Sequence, residues 1–580
     1  MSSVISVLRQ AGISELACQF AMYIERVDKT DDQLISLTAA LLSEAVSQGH
    51  VCLNLNNFAA INEDLKPLLP EQLNDWLARL KNSNVVGQAG EYRPMIVDDK
   101  GLLYLYRHWQ DEQSVAANIR QRSQAVSLLD EQQLKQDFAD WQTTIDDIDW
   151  QKVAVLMALT RQFCVISGGP GTGKTTVVLR LLQSLQKQQA GCRIALAAPT
   201  GKAAARLQQA TSQSGEGLIQ AKTLHRLLGI TADNDQGRFN QDRTLPFDII
   251  IVDEASMIDI SLMAKLLKAM AAKTRLVLLG DSEQLASVES GAVLANLCQS
   301  DTLLSGDFVH TARSLIGSDL SQYESQASDA FMIDSMVKLQ HSYRFEQTSL
   351  VGRLAAAVQA AESELFVNEL LASETSAWQQ TLNVTTLIEG YQDYIDAINQ
   401  HAETKECLER FEQFRVLCAL KLGSQSVTSV NVLIERYLTK LGWRTQQDFY
   451  HGRPIMIMQN DYRQQLFNGD IGLILKDENG QLRACFLFDE LLRFIPLSRL
   501  PAHETAYAMT IHKSQGSEFE NVCVLLPEED SVLLTRELLY TAITRAKSDI
   551  SLMAAEHIIR TTVATQHYRE TGLAEQLSKG

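Results

Sequence analysis

The sequence reads as an α/β protein with two stretches of parallel β-α-β units in tandem, a helical stretch ahead of them and a small β-barrel inserted into the second. Three observations carry that reading. Apolar runs such as "FCVIS", "RIALAAP", "DIIIVDE" and "TRLVLLGD" alternate with helical stretches, the pattern of strands buried on both faces and joined by crossover helices. One of those runs opens directly into a glycine-rich turn and an apolar helix, "FCVISGGPGTGKTTVV", from Phe163 to Val178. Further on, "RPIMIMQNDYRQQLFNGDIGLILKDENGQLRACFLF" breaks into short strands at Asn468-Gly469-Asp470 and Glu478-Asn479-Gly480, which are hairpin turn signals.

Taken in chain order, residues 1–112 carry helical patterns such as "DDQLISLTAALLSEAVSQG", with apolar residues at three-to-four spacing. No chemical constellation appears there; a docking role is the expectation, and a helical cap that only stabilises the rest of the chain is the alternative. Residues 113–335 form the first β-α-β region, opening on a polar helical segment rich in Gln and Asp. Residues 336–580 form the second, with the barrel at about 445–500. No internal repeat or low-complexity tract is present.

The spacing Gly168-x4-Gly173-Lys174-Thr175 is that of a phosphate-binding loop. Small residues at Gly168, Gly169, Pro170, Gly171, Thr172 and Gly173 let backbone N–H groups turn around a polyphosphate, and the following helix points its positive end at it. Lys174 supplies charge to the β- and γ-phosphates, Thr175 a hydroxyl for Mg²⁺, and Thr176 continues the helix start. The motif by itself implies only nucleotide triphosphate hydrolysis.

"FDIIIVDEASMID" sets Asp253 and Glu254 at the end of a buried strand, the edge where ligands sit in such sheets. Asp253 suits Mg²⁺ and Glu254 the proton of an attacking water; two acids capping the next helix is the plainer alternative. Asp281 and Gln284 follow a further strand, and an amide there can touch both γ-phosphate and water, or simply close a turn. Arg344 in "KLQHSYRF" and Arg545 in "ELLYTAITRAK" are forks suited to developing phosphate charge. Both fall in the second region. If both reach the nucleotide, it lies between two domains and its hydrolysis moves them, as in a motor.

Composition narrows the classes. At 580 residues, 45% apolar and 21% charged, the chain is globular and large enough for several domains. It has no 18-residue apolar run and no basic-then-apolar leader, so neither a membrane span nor secretion is expected. Nine scattered cysteines without a CxxC pair argue against zinc, an iron–sulfur cluster or a disulfide framework, and for a reducing cytoplasm. The net charge of -18 taken alone argues against nucleic acid, but a basic channel within an acidic shell remains compatible with it.

"GGPGTGKTT", "APTGKAAARL", "TLHRLLG", "VDEASMID", "GDSEQLASVESGAVL", "LQHSYRF", "NDYRQQLFNGDIG", "TIHKSQGSEF" and "LLYTAITRAK" occur in that order from about Asp149 to Ala554. In this the chain resembles superfamily 1B DNA helicases, and within them the alpha-subunit (RecD) family of exodeoxyribonuclease V. The resemblance implies two RecA-like P-loop motor domains in tandem, an SH3-like insertion, ATP and Mg²⁺ as cofactors, and 5′→3′ translocation on single-stranded DNA. It also implies duplex DNA ends as substrate and RecB and RecC as partners in a heterotrimer acting in double-strand break repair. By the same resemblance Gln151 reads adenine, while Thr200, Lys202 and His225 contact the strand from the first motor domain. Thr510, His512, Lys513 and Gln515 do so from the second. Such groups suit phosphate contacts that do not read sequence. Tyr462 and Phe467 either stack on bases or belong to the barrel core. "GDSEQ" has no basic residue and is assigned no DNA contact. No helix-hairpin-helix repeat precedes the motifs, and no acidic cluster of nuclease type follows Lys547, so nuclease activity is expected in a partner. A stand-alone 5′→3′ helicase and a non-motor ATPase switch are the alternatives.

Overall fold

The computed structural model describes residues 3–578 except 31, 59–60, 124–129, 142–146, 190, 214–218, 232, 326–331, 345–347, 374–377, 444, 462 and 489–490. Its frame is two parallel β-sheets, each with helices on both faces. Among the described residues no helix is long and apolar enough to cross a membrane.

The N-terminal region begins with helices Ser3–Gln10, Glu15–Asp28 and Gln33–Ser47. Ser14 and Asp32 cap the second and third through side-chain oxygens, filling donors that the first turn leaves free. Cys18, Ala21 and Ile24 of one helix meet Leu34, Leu37 and Leu41 of the next in a core of their own. The helical expectation omitted a small sheet there. Strands β1 (Cys52–Asn54), β2 (Val86–Gly87), β3 (Met95–Val97) and β4 (Leu102–Leu105) pair in the order β1-β4-β3-β2. At two to four residues each, they are too short to leave an alternating pattern in the sequence.

The first parallel sheet contains β5 (Phe163–Gly168), β6 (Ile194–Ala198), β7 (Ala221–Thr223), β8 (Ile249–Val252), β9 (Arg275–Gly280) and β10 (Met336–Leu339), in the order β10-β5-β9-β8-β6-β7. Its strands feed two cores by strict alternation. Phe163, Val165, Ile250 and Val252 pack on one face; Cys164, Ile166, Ile249 and Ile251 pack on the other. The sequence places residues 336–339 in the second region, but they pair with β5 of the first, Leu339 opposite Gly168. The segment after β10 therefore leaves the sheet at the edge from which the glycine-rich loop also leaves.

The second parallel sheet contains β11 (Trp378–Gln379) and β12 (Phe414–Cys418). A five-strand antiparallel insertion interrupts it, built from β13 (Arg453–Ile457), β14 (Ile471–Lys476), β15 (Leu482–Phe488), β16 (Leu491–Pro496) and β17 (His503–Thr505). The parallel sheet then resumes with β18 (Ala508–Thr510), β19 (Phe519–Leu525) and β20 (Ala546–Met553). Its order is β11-β20-β19-β12-β18, and the insertion pairs in a line as β16-β15-β14-β13-β17 around Ile455, Ile457, Ile474 and Phe486.

The chain closes on itself. Helix Tyr106–Arg122 runs through the expected boundary at 112/113, and its Glu112 receives the C-terminal segment. Tyr104 Oη, Gln576 Nε2 and the Gly572 N–H donate to that carboxylate at 3.0, 2.7 and 3.1 Å, and the Thr571 hydroxyl also donates to it. Burial nonetheless pushes the Glu112 carboxyl up to about 7. Its ordinary value is 4.5, so between those two values the folded chain holds a proton that the unfolded chain has lost. This site's contribution to stability therefore falls as pH rises through that window. Tyr104 and Cys52, both buried, and the partly exposed Asp98 are the other titratable groups that act on this carboxylate. Thermal unfolding from about pH 5 to about pH 8 should cost the wild type more than Glu112→Gln, which cannot ionise; a midpoint difference that stays constant with pH would contradict this.

Candidate active site

The ends of β5, β8 and β9 lie in register, Ser167 opposite Gly280 and Val252 opposite Leu278. The residues that follow each strand therefore meet at one edge. From β5 comes the loop Gly168–Gly173, leading into helix Lys174–Gln188. Gly173 has φ +82°, and a Cβ there would strike Gln151 Nε2, which donates to Thr172 O at 3.0 Å. Only glycine fits both constraints. A Cβ on Gly171 (φ +78°) would strike the Arg344 side chain. The loop is thus closed in by Gln151 on one side and by the segment after β10 on the other. The Tyr343 N–H donates to Gly171 O at 2.8 Å, and the Ser342 hydroxyl to Pro170 O at 3.1 Å. Lys174 Nζ donates to Gly168 O (2.5 Å) and Gly169 O (3.1 Å), folded across the loop.

Asp253 and Glu254 follow β8, and Asp281 and Gln284 follow β9. Burial and the adjacent Glu254 push the Asp253 carboxyl up to about 6, against the pull of Lys174. Burial raises Asp281 to about 6 as well, and Gln284 Nε2 donates to Asp281 Oδ2 at 2.9 Å. Glu254 takes a left-handed backbone, φ 54°, which turns its carboxylate away from the strand line into the cleft. That conformation is uncommon for a residue with a side chain and is a local strain.

A cavity of about 630 Å³ joins these groups. Its lining includes Gln151, Lys174, Thr175, Asp253, Gln284 and Arg344, and from the second sheet Glu518 and Arg545. Thr176 also borders it, and Trp141 and Tyr343 offer aromatic faces near Gln151. Arg344 does not belong to the second region as its sequence position suggested; it sits on the link just past β10. Arg545 lies between helix Arg536–Ile543 and β20, donating from Nε to Thr541 O and from Nη1 to Ser517 O, both at 3.1 Å.

Glu518 is the residue the sequence reading passed over. Arg344 Nη2 donates to its Oε1 at 2.7 Å, and Arg206 Nη2 reaches the same oxygen. Burial opposes its ionisation, yet Arg206 and Arg344 hold its carboxyl below the ordinary value. It lies in the quoted "SQGSEF", but a lone Glu beside a β-strand carries no spacing signal.

The expected strand-contacting residues fall in separate places. Thr200 caps helix Gly201–Gln213, accepting from the Ala203 N–H at 3.2 Å. Lys202, in its first turn, is half-buried; burial lowers its ammonium, with Glu412 and Asp470 of the second region as counter-charges. The Phe467 ring packs where a Cβ on Gly201 would sit, 3.0 Å away. Tyr462 lies outside the described residues. His225 is exposed on helix Leu224–Leu228. Thr510 accepts from the Lys513 N–H at 3.3 Å, and Lys513 Nζ pairs with Glu504 at 2.8 Å. His512 is partly enclosed, and burial and Arg569 lower its imidazole. Gln515 is buried and donates to Leu285 O at 2.9 Å, so in this arrangement it bridges the two regions instead of facing a strand.

A P-loop at the edge of one parallel sheet, faced across a charged cleft by a carboxylate and an arginine of a second, defines a nucleotide hydrolase of the helicase class. The description "AAA domain" matches residues 151–290, and "UvrD-like helicase C-terminal domain" matches 505–553. "RecBCD enzyme subunit RecD, N-terminal domain" matches 9–104. The chain is 35% identical to the RecBCD enzyme subunit RecD of Haemophilus influenzae over 94% of its length and 93% of that protein. It is 37% identical to the RecD subunit of Mycolicibacterium smegmatis over 94% of each. The ATP-dependent RecD2 DNA helicase of Deinococcus radiodurans is 29% identical over 71% of this chain and 50% of its own. Among solved structures, Bacteroides Pif1 bound to ssDNA is a distant likeness, with a TM-score of 0.39 at 17% identity over 72% of this chain and 94% of that one. The chain belongs to the RecD subunit family of the RecBCD enzyme.

Gly173→Ala tests the loop geometry. The methyl group has no room beside Gln151, and the left-handed backbone disfavours it, so affinity for a fluorescent ATP analogue should fall at least about tenfold. The folded state should persist by circular dichroism. Unchanged affinity would show that the loop does not hold the phosphates.

Proposed function

We propose that the chain is an ATP-dependent 5′→3′ single-stranded DNA translocase and helicase, acting as a subunit of a RecBCD-type helicase and nuclease on duplex ends in double-strand break repair by recombination. The observation that carries this reading is that a P-loop cavity on one sheet is completed by Glu518 and Arg545 of the other. A nucleotide held there touches both halves, so its cleavage changes the force between them. The two sheets correspond in this reading to tandem RecA-like motor domains, and the antiparallel insertion to an SH3-like barrel that rides on the strand. RecD subunits match along nearly their whole length, whereas the RecD2 helicase matches over half of its own, which favours the subunit over the stand-alone alternative. Nuclease activity then lies with a partner, RecB and RecC being the expected ones.

Within the cleft, Gln151, Trp141 and Tyr343 take the base, and the loop N–H groups with Lys174 take the phosphates. Glu254 accepts the proton of the attacking water, and Gln284 orients that water. Arg344 and Arg545 stabilise charge on the transferring phosphoryl group. The Thr175 hydroxyl and the Asp253 carboxylate fit Mg²⁺. The raised Asp253 carboxyl beside Glu254 is a like-charge pair that a cation relieves; when bound, the ion supplies charge neutralisation at the phosphates.

The N-terminal region serves docking. Its second helix turns an apolar stripe outward, with Leu16 70%, Tyr23 57% and Val27 40% exposed and Phe20 between them. This three-to-four spacing on a solvent face is that of a helix awaiting a partner.

Glu254→Gln should bind ATP and DNA while its turnover falls about 10²–10⁴-fold, the range for loss of a general base; normal steady-state hydrolysis would make Glu254 structural. Partial duplexes with a 5′ tail should be unwound and 3′-tailed ones poorly, with affinity for the tail falling steeply with salt. The opposite polarity would refute the motor assignment. Leu16→Glu with Tyr23→Glu should abolish co-elution with RecB and RecC on size exclusion while DNA-stimulated ATPase survives; intact co-elution would place the interface elsewhere.

A further inference from the structure

The loop that carries Gln284 does not end at the nucleotide. It continues through Leu285 to Gly291 and is held at Leu285, Ser287, Glu289, Ser290 and Gly291 by other parts of the molecule. The Leu285 side chain packs in the apolar core of the second region with Tyr540 and Met509. Its N–H donates to Thr541 Oγ1 and its carbonyl accepts from Gln515, both at 2.9 Å. From Ser287 onward the partner is the C-terminal segment. Arg569 Nη2 donates to Ser287 O at 2.5 Å, and its Nη1 donates to Glu289 O and Gly291 O at 2.7 and 2.9 Å. One guanidinium thus gathers the carbonyls of three alternate residues, a use for which its planar fork is suited. On its other face it lies against Gly49 of the N-terminal region, 2.9 Å from where a Cβ would stand. The Gly291 N–H donates to Gly49 O at 2.9 Å, and the Ser290 hydroxyl to Val46 O at 3.2 Å. The C-terminal segment is itself tied to that region, the Val51 N–H donating to Glu570 O and the Glu570 N–H to His50 Nδ1, both at 2.9 Å.

We propose that Arg569 is a positioning residue for Gln284: by clamping Ser287–Gly291 it fixes the far end of the loop whose near end presents the amide to the γ-phosphate. The clamp joins the N-terminal region and the C-terminal segment to the nucleotide site without touching the nucleotide. Gln284 and Ser287 are three steps apart along the chain, a reach of at most about 11 Å, and Leu285 gives the stretch between them a second hold. Freed at Ser287, the stretch is held by the Leu285 contacts alone, the ordering of its backbone is partly lost, and Gln284 samples orientations that do not meet the attacking water. Arg569 lies outside the nucleotide cavity, so binding of ATP is left alone and turnover suffers.

The inference rests on Gln284 acting at the nucleotide, and a double-mutant cycle separates the two. Steady-state ATPase of the full-length chain, saturated with oligothymidylate and Mg²⁺, is measured for Arg569→Gln, Gln284→Ala and the pair. Arg569→Gln should lower kcat at least about tenfold with KM for ATP within about threefold of wild type, and the double variant should be no slower than Gln284→Ala alone within about twofold, because both act through one group. If Arg569→Gln does not fold, Arg569→Lys, which keeps the charge but reaches fewer carbonyls, takes its place with the same pattern and a smaller loss. Unchanged kcat, a loss confined to KM, or losses that multiply in the double variant would overturn the role of Arg569. Wild-type turnover in Gln284→Ala alone would overturn it too, and would locate the failure in the reading of Gln284.

Discussion

Buried charge governs this molecule. Asp253, Glu254 and Glu518 share one cleft with Lys174, Arg206, Arg344 and Arg545, and Asp281 is buried beside Gln284 at its wall. Removing such groups from water costs several kcal/mol per ion unless each finds a counter-charge, and the cleft is arranged to supply them across the gap between sheets. Glu518 of the second region holds Arg206 of the first and Arg344 of the link. Burial raises the Asp253 and Asp281 carboxyls to about 6, against the pull of Lys174. The ion pairs that meet across the gap therefore join an acid and arginines of the two regions in one network.

The apolar cores divide along similar lines. Each parallel sheet has a pair of clusters, and the N-terminal region and the antiparallel insertion have one further cluster each, with residues such as Cys52 and Leu473 packed into the clusters of the neighbouring sheet. What crosses the main cleft is chiefly ion pairs and single hydrogen bonds, an interface that can shear without opening a core. Apolar contacts also cross it: Leu285 of the first region is lodged in a core of the second, and the Phe467 ring packs over Gly201. Polar clamps on either side of Leu285 hold its loop to both regions.

The long apolar strands and the P-loop were legible because their signals are local. β5 and β8 are unbroken apolar runs, and Gly173 is dictated by a left-handed turn beside Lys174. The small N-terminal sheet was not legible, since strands of two to four residues hold no period. Met336–Leu339 was placed in the wrong region because an apolar strand does not announce its neighbour; pairing with β5 is decided by where the crossover helix delivers it. With that strand went Arg344, whose place on the link follows from β10.

The sequence by itself determined the nucleotide chemistry, the α/β class and the family, because all three reside in contiguous residue types whose spacing is fixed by backbone geometry. Only the tertiary structure decided that Glu518 binds two arginines, that Gln515 turns inward to Leu285, and that Arg569 and Glu112 anchor the C-terminal segment to the N-terminal region. Those contacts join residues up to several hundred positions apart through single hydrogen bonds. A single hydrogen bond asks for a donor or an acceptor at a point in space, and no local pattern in the chain records where that point will be.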